Sequence, residues 1–321
     1  MNAKRHSAAV NWKFCLKIIF SLAFAGWITL ANAEIWRFAL IGDVPYSDFE
    51  RAQLPKMLEK IAESHVEFVA HIGDFKHGKD RCDDALFEDR LQLFNASRIP
   101  FIFVPGDNEW TDCYRKSNGA FDPLERLGKL RSMFWNKDQS LGQKKMVLVR
   151  QSESIPENAR FRLGPVLFVS LNIPGSNNNW TRTGEPSPEY LARNPLVLQW
   201  LREGFAIAQH QGLAGIVLLF QADPDFTNFA LGMPQPSYRD FLDLLREETI
   251  KFPGQVVAVH GDSHISLIDK PLRDKRGGQI TNFTRVETFG YPAMGWTRCI
   301  IDTESSALLR FETHPWPPGR P

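Results

Sequence analysis

Four Gly-Asp pairs, each directly after a short apolar run, constrain the fold of this chain more than any other feature. Random placement of the 22 glycines and 19 aspartates among 321 residues would give about 1.3 such pairs. Glycine permits a sharp turn where a strand ends, and the aspartate then projects from the carboxyl end of the strand, where ligands bind in open α/β sheets. One pair would indicate only a turn, but four in this context predict a shared site. The pairs are Gly42-Asp43, Gly73-Asp74, Gly106-Asp107 and Gly261-Asp262.

The apolar runs alternate with segments of helical periodicity as far as Val259, and mainly strand-like segments follow as far as Phe311. Alternation predicts parallel strands joined by helices, and the strand-like end predicts antiparallel additions. We therefore expect one α/β domain over residues 34–314, with two packed mixed β-sheets flanked by helices, and an extended tail over residues 315–321. The predicted strands are 35–41, 66–72, 101–104, 166–171, 216–220, 256–259, 266–269, 280–286, 298–302 and 307–311, and the predicted helices are 50–64, 84–96, 123–135, 189–210 and 238–251.

Residues 1–33 have the pattern of a secretory signal peptide. They contain four cations and no acid, then the apolar run Ile18–Ala33, which ends in the cleavage pattern Ala31-Asn32-Ala33. The apolar run of about 16 residues is shorter than the roughly 20 that span a bilayer, so we favour cleavage over an uncleaved anchor. The mature chain would begin at Glu34. It would be exported to the periplasm or outside the cell, without a stable membrane anchor.

The charge balance and the absence of common motifs exclude several classes of protein. The chain has 38 Lys and Arg against 37 Asp and Glu, and loss of the four cations of residues 1–33 leaves 34 against 37, a net charge of −3. Binding to nucleic acid through phosphates usually requires a basic excess, so we expect no charge-driven nucleic-acid binding. The absence of Gly-x-Ser-x-Gly, of a P-loop and of Gly-x-Gly-x-x-Gly argues against a serine hydrolase, a kinase and a dehydrogenase.

Export would place the three remaining cysteines in an oxidising compartment, where a disulfide is the expected state. No Cys-x-x-Cys pair occurs, which argues against a cysteine zinc site. We predict a disulfide between Cys82 and Cys113, closing a loop of about 30 residues. Cys299, in an apolar run, is predicted to be a buried free thiol. The disulfide would connect the loop after Asp74 to the loop after Asp107.

Several converging carboxylates repel one another unless a cation lies between them, and a divalent metal ion is the expected counterion. Two further side chains fit such a site. Gln221 directly follows the strand predicted at 216–220. His264 lies two positions after Asp262, so on an extended segment both side chains point to the same face. Tyr46, three residues after Asp43, could line a pocket beside the site.

These blocks, in this order, resemble those of the calcineurin-like metallophosphoesterase superfamily over most of residues 35–312. Gly42-Asp43-Val44-Pro45 is similar to the Asp-x-His block, and Gly73-Asp74 to the block whose aspartate bridges two metals. The resemblance implies a four-layer α/β/β/α sandwich. Two later blocks also match, and Gln221 stands where a histidine ligand is expected. The later blocks are Gly106-Asp107-Asn108-Glu109, similar to Gly-Asn-His-Glu, and Gly261-Asp262-Ser263-His264, similar to Gly-His-x-His.

The resemblance implies two metal ions with a shared ligand. Several positions depart from the family pattern: Pro45, Gln221 and Asp262 each stand where a ligand histidine is expected, and Asp107 replaces a ligand asparagine. Oxygen ligands suit Mn²⁺ or Mg²⁺ better than Zn²⁺, so we expect manganese or magnesium. By position, one metal would be bound by Asp43, Asp74 and His264, and the other by Asp74, Asp107, Gln221 and Asp262.

The implied activity is that of an exported phosphoesterase that hydrolyses a phosphomonoester or phosphodiester, a small phosphorylated substrate, by attack of a metal-bound hydroxide. Asn108 and His264 are the predicted catalytic residues, although Asn108 replaces a histidine that contacts phosphate and assists the leaving group. His71, His260 and Glu109 are alternative general acids. The second hypothesis is a degenerate, weak or inactive protein of this fold that binds metal or a phosphorylated ligand. The sequence indicates no particular oligomeric state.

Overall fold

Two mixed β-sheets form the centre of the computed structural model, which describes residue 1 and residues 34–181 and 184–318. The first sheet has five strands in the order β12-β11-β1-β2-β3, with β1, β2 and β3 parallel and β11 and β12 antiparallel. Its strands are β1 (Ile35–Ile41), β2 (Val69–His71), β3 (Phe101–Phe103), β11 (Gly295–Asp302) and β12 (Leu309–Pro315).

The second sheet has seven strands in the order β4-β5-β6-β7-β8-β10-β9. Strands β6, β7, β8 and β10 are parallel, whereas β4, β5 and β9 pair antiparallel with their neighbours. Its strands are β4 (Val149–Ser152), β5 (Ile155–Leu163), β6 (Val166–Ser170), β7 (Gly215–Leu219), β8 (Gln255–His260), β9 (Leu267–Asp269) and β10 (Phe283–Glu287).

Helices cover the outer face of each sheet. The hydroxyl of Ser47 accepts from the N–H of Glu50 to cap α1, and Ser187 caps α5 through Tyr190 in the same way. Apolar side chains of α1, α2 and α3 pack on the five-stranded sheet, and those of α5, α6 and α7 pack on the seven-stranded sheet. The helices are α1 (Asp48–Glu63), α2 (Asp84–Asn95), α3 (Pro123–Phe134), α4 (Gly175–Asn178), α5 (Pro188–His210), α6 (Phe226–Ala230) and α7 (Pro236–Lys251).

Successive side chains of each strand point to opposite faces of its sheet, so the two sheets form three apolar layers. One lies between the sheets, and one lies between each sheet and its helices. In β1, Phe38 faces the other sheet and Ala39 faces the helices, because successive side chains of a strand point to opposite faces. The layer between the sheets centres on aromatic contacts, with the ring of Phe168 5.0 Å from that of Phe38 and 5.2 Å from that of Phe68. Such rings bury large apolar areas, so this contact holds the sheets together. The predicted four-layer α/β/β/α fold is confirmed.

The sequence located the elements with continuous apolar or helical periodicity better than the strands rich in polar residues. Strand β1 has the predicted bounds, and each predicted helix begins and ends within two residues of the observed helix. Strand β2 is shorter than the predicted 66–72. The hairpin of β4 and β5 was not predicted, because Val149–Ser152 is mostly polar and lies at the edge of the sheet.

The remaining predictions concern the two ends of the chain. The predicted signal peptide lies outside the described residues apart from residue 1, so its cleavage stays a prediction, as does the domain boundary at 314. Strand β12 includes Pro315, and Trp316 packs against the apolar cluster between the helices and the five-stranded sheet. Residues 319–321 lie outside the described part. Among the described residues, none of the helices combines the length and apolar character needed to span a membrane.

The structure contains the disulfide between Cys82 and Cys113 that the sequence predicts, with 5.8 Å between their Cα atoms. Cys299 is a buried free cysteine, also as predicted. Both bridged sulfurs lie close to the backbone carbonyl oxygen of Asn108, at 3.6 and 3.7 Å. The disulfide therefore supports the loop that follows β3 as well as the loop that follows β2.

We predict that the double variant Cys82→Ala/Cys113→Ala is less stable than the wild type by about 2–4 kcal/mol. The bridge spans 31 residues of sequence, and closing a loop of that size restricts the unfolded chain. Urea unfolding measures the difference. A reducing agent should lower the wild-type midpoint towards that of the variant and leave the variant unchanged; equal midpoints for the oxidised wild type and the variant would contradict this.

Candidate metal centre

The centre is built on sharp turns at the carboxyl ends of the parallel strands. Four of the predicted ligand residues have a left-handed backbone, a conformation that costs a non-glycine residue of the order of 1 kcal/mol or more. Their side chains are directed back across the strand ends instead of along the strand. The φ angles are 49° at Asp43, 59° at Asp74, 76° at Asp262 and 63° at His264.

Two of the preceding glycines are required because the loops approach so closely. A Cβ at Gly106 would lie 2.0 Å from Oδ1 of Asp74, and one at Gly73 would lie 2.6 Å from Cγ of Gln221. Gly73 also has a φ of 82°, which favours glycine. The Gly-Asp pattern therefore has two causes: the glycine permits the turn, and its lack of a side chain makes room for a polar side chain of a neighbouring loop.

Three carboxylates meet at the centre. Asp74, Asp107 and Asp262 each offer an oxygen, and these oxygens lie within 4.8 Å of one another. The side-chain nitrogen of Gln221 donates to Oδ1 of Asp107 at 3.2 Å and to Oδ1 of Asp262 at 3.1 Å. The structure thus brings together all four residues predicted for the second metal. Here the Gln221 oxygen accepts from the N–H of Gly175, so its amide must turn over to present oxygen to a metal.

Two of the three residues predicted for the first metal, Asp43 and His264, are also neighbours, whereas the ligand atoms that converge with Asp74 are those of Asp107 and Asp262. Nε2 of His264 lies 3.6 Å from Oδ1 of Asp43, and the backbone N–H of Asp262 donates to both Asp43 oxygens at 3.2 and 3.3 Å. Nδ1 of His264 lies 2.9 Å from the carbonyl oxygen of Tyr291. A carbonyl accepts only from a protonated nitrogen, so the Nε2 lone pair is available to a metal.

Burial and mutual repulsion shift the protonation of the cluster strongly. Desolvation and the charge of Asp262 raise the pKa of Asp43 well above its ordinary value, and desolvation and the charge of Asp107 do the same for Asp74. Desolvation and the charge of Asp107 raise the pKa of Asp262 to about 8. No Lys or Arg among residues 34–181 and 184–318 forms an ion pair with these carboxylates. Protons or a divalent cation must relieve the repulsion, so the oxygen-rich donor set fits the metals that the family implies.

Asn108 contacts Asp74 through both its backbone and its side chain. Its backbone N–H donates to Oδ1 of Asp74 at 3.1 Å, and its side-chain nitrogen donates to Oδ2 of Asp74 at 2.7 Å and to the hydroxyl of Tyr46 at 2.9 Å. Its amide hydrogens are therefore engaged with the cluster. The catalytic roles of Asn108 and His264 stay predictions.

The three alternative general acids are fully buried. His71 and His260 are buried strand residues, and desolvation lowers the pKa of each to about 4, so both are neutral. Glu109 accepts from the backbone N–H of Asp74 at 3.1 Å and from that of Gly106, and burial raises its pKa to about 7. Glu109 thus joins the loops after β2 and β3 from inside.

Sequence reasoning missed the serine that contacts the cluster from α4. The hydroxyl of Ser176 lies 2.6 Å from Oδ2 of Asp107 and 2.8 Å from Oδ1 of Asp112. Arg115 in turn forms an ion pair of 2.7 Å with Asp112. The available signal was the asparagine-rich stretch 175–179, because asparagine tolerates the left-handed backbone that Ser176 and its neighbours adopt here.

The sequence model of a protein family described as calcineurin-like phosphoesterase matches residues 37–266. The chain belongs to this family. The match spans the turns after β1, β2, β3, β7 and β8, so it includes every predicted ligand. A search of curated protein sequences found no match.

Solved structures with a similar fold include two phosphatases. One is a dimetal phosphatase from Danio rerio, with a TM-score of 0.52 and 15% identity, covering 88% of this chain and 99% of that chain. The other is a purple acid phosphatase from yellow lupin (Lupinus luteus) seeds, with a TM-score of 0.52 and 12% identity, covering 90% of this chain. The match spans 53% of the lupin chain, about half its length. At these identities the similarity shows the fold alone.

We predict that the metal-free protein becomes less stable as the pH rises from about 4 to about 8, the interval between the unfolded and folded pKa of Asp262. A carboxyl whose folded pKa is raised stabilises the fold fully below its unfolded pKa, about 3.9, and loses that contribution as the pH rises through the folded value. For Asp262 the folded value is about 8. Thermal unfolding in EDTA measures this fall, which should be smaller in Asp262→Asn.

Saturating Mn²⁺ is the control, because metal affinity increases as carboxylates lose protons and binding stabilises the folded state. The metal-loaded protein should lose the fall in stability. Identical pH dependence of wild type and Asp262→Asn in EDTA would contradict the prediction.

Proposed function

We propose that this chain is an exported, metal-dependent phosphoesterase that hydrolyses a small phosphomonoester or phosphodiester. The observation that carries the proposal is the convergence of Asp74, Asp107 and Asp262, with oxygens within 4.8 Å of one another. Within the described part of the chain, no Lys or Arg forms an ion pair with them. Such a cluster is costly to bury unless it binds cations. When bound, divalent ions would supply an activated water nucleophile and neutralise the phosphoryl oxygens.

Residues of the chain itself would bind the metal ions and orient the substrate. By its position in the family pattern, the Asp74 carboxylate would belong to both predicted ligand groups; one of its oxygens lies with those of Asp107 and Asp262. His264 would contribute through Nε2, because its Nδ1 is committed to the carbonyl of Tyr291. Metal binding at Asp74 would free the amide hydrogens of Asn108, which now donate to that carboxylate, to donate to a phosphoryl oxygen. Asn108 cannot give up a proton, so substrates with good leaving groups suit this site best.

The second candidate is a binding protein without turnover. One observation favours it: the amide groups of Asn108 and Gln221 face the carboxylates through N–H, where the family pattern has imidazoles. Against it, Asp107 and Asp262 offer oxygen, the ligand atom that Mn²⁺ and Mg²⁺ prefer, and Gln221 would do so once its amide turned over.

The deciding experiment is hydrolysis of nitrophenyl phosphate and bis-nitrophenyl phosphate. We expect turnover with Mn²⁺ or Mg²⁺, less with Zn²⁺, and a loss of about 100-fold or more in kcat/KM for Asp74→Ala, because removal of even an outer partner of a metal ligand costs about 10–100-fold. Asp240→Ala, an exposed aspartate on α7, is the matched control. Absence of metal-dependent turnover, with Mn²⁺ still bound, would favour the binding protein.

Export is supported by the disulfide and by the signal pattern of residues 1–33. We predict that the full chain, produced in a host with a secretory pathway, is recovered outside the cytoplasm with Glu34 as its first residue. N-terminal sequencing of the recovered protein provides the measurement. Retention in the cytoplasm with the first 33 residues intact would contradict it.

A further inference from the structure

Tyr46 follows the proline that stands in place of a ligand histidine, and its side chain enters the metal centre. Its backbone N–H donates to Oε2 of Glu50 at 2.6 Å, which ties the loop after β1 to the first turn of α1. The ring lies between His77 and His264, with centroid distances of 5.5 and 5.2 Å. Only 8% of the residue is exposed. These contacts hold the hydroxyl in one place.

The Tyr46 hydroxyl lies beside the two aspartates predicted to bind the first metal. The Tyr46 oxygen lies 2.9 Å from Oδ2 of Asp74 and 3.5 Å from Oδ1 of Asp43, and the side-chain nitrogen of Asn108 donates to it. Sequence reasoning placed Tyr46 only as a pocket wall. The hydroxyl instead faces inward, towards the carboxylates.

We propose that Tyr46 supplies, one position later in the chain, the metal ligand that Pro45 cannot provide. Tyr46 Oη would bind the first metal together with Asp43, Asp74 and His264. This inference rests on the proposed function, because it requires the centre to bind metal.

The distances between the donor atoms support this assignment. Ligand atoms at about 2.1 Å from one ion lie about 3.0–3.4 Å from their neighbours in octahedral or tetrahedral geometry. The observed neighbour distances are 2.9 Å from Tyr46 to Asp74, 3.5 Å from Tyr46 to Asp43 and 3.6 Å from His264 to Asp43. The Tyr46 hydroxyl thus contacts both aspartates that are predicted for the first metal.

Mn²⁺ binding is the first test, measured by titration calorimetry on metal-free wild type, Tyr46→Phe and Tyr190→Phe. Tyr190 is the matched control because it is similarly buried and its hydroxyl has no hydrogen-bond partner among the described residues. We expect two Mn²⁺ sites in the wild type, with the affinity of one lowered about tenfold or more in Tyr46→Phe and both within about twofold of wild type in Tyr190→Phe. Unchanged Mn²⁺ binding in Tyr46→Phe would overturn the inference.

The second test needs no variant and separates ligation from mere positioning. Anomalous diffraction from wild-type crystals grown with Mn²⁺ would locate the ions. An ion within about 2.5 Å of Tyr46 Oη supports ligation. Ions held by Asp74, Asp107 and Asp262 but more than about 3 Å from Tyr46 Oη would overturn the inference and leave the proposed function intact. A wild type that binds no Mn²⁺ in either measurement would remove both.

Discussion

Repulsion between buried carboxylates is the constraint on which the rest of this structure depends. Asp43, Asp74 and Asp262 are held close together with raised pKa values, so the folded chain stores an electrostatic cost that only protons or cations can offset. The scaffold tolerates this cost because it is large and apolar on both sides of each sheet. Strain at the left-handed turns adds to the same cost, and both are characteristic of sites under functional constraint.

The parallel strands explain how residues distant in sequence come to share one centre. Strands β1, β2 and β3 are in register, with Ile41 opposite His71 and His71 opposite Phe103, so their following turns emerge at one edge. Strands β7 and β8 bring Gln221 and Asp262 to the same edge from the other sheet. Glu109 and the disulfide then fix two of these turns to each other. Metal ligands on strand ends keep their spacing because the sheet, not the loop, sets it.

The sequence predicted the layers and the aspartates but not all of the contacts between loops. Apolar runs and Gly-Asp pairs are local signals, and they located β1 and the four strand-end aspartates. Ser176 contacts Asp107 across 69 residues of sequence, and Tyr46 contacts Asp74 across 28. Such contacts depend on how each loop folds back after its strand ends, which no residue periodicity encodes. The hairpin of β4 and β5 was missed for a different reason: β4 is an edge strand, which need not be apolar, and the buried strand β5 contains polar residues such as Glu157 and Asn158.

Two departures from the family pattern at predicted ligand positions run from nitrogen to oxygen, whereas Asp107 in place of asparagine keeps an oxygen ligand. Gln221 and Asp262 replace imidazoles with an amide and a carboxylate, and the Tyr46 hydroxyl lies beside the position that Pro45 leaves without a ligand. If both predicted ligand groups bind metal, an all-oxygen second position and a first position with one histidine would form a harder donor set, for which we expect manganese or magnesium rather than zinc. The same change removes the titratable group from the phosphate side at Asn108. Selectivity for metal and selectivity for leaving group would therefore have changed together, because both follow from the loss of imidazole at one edge of the sheets.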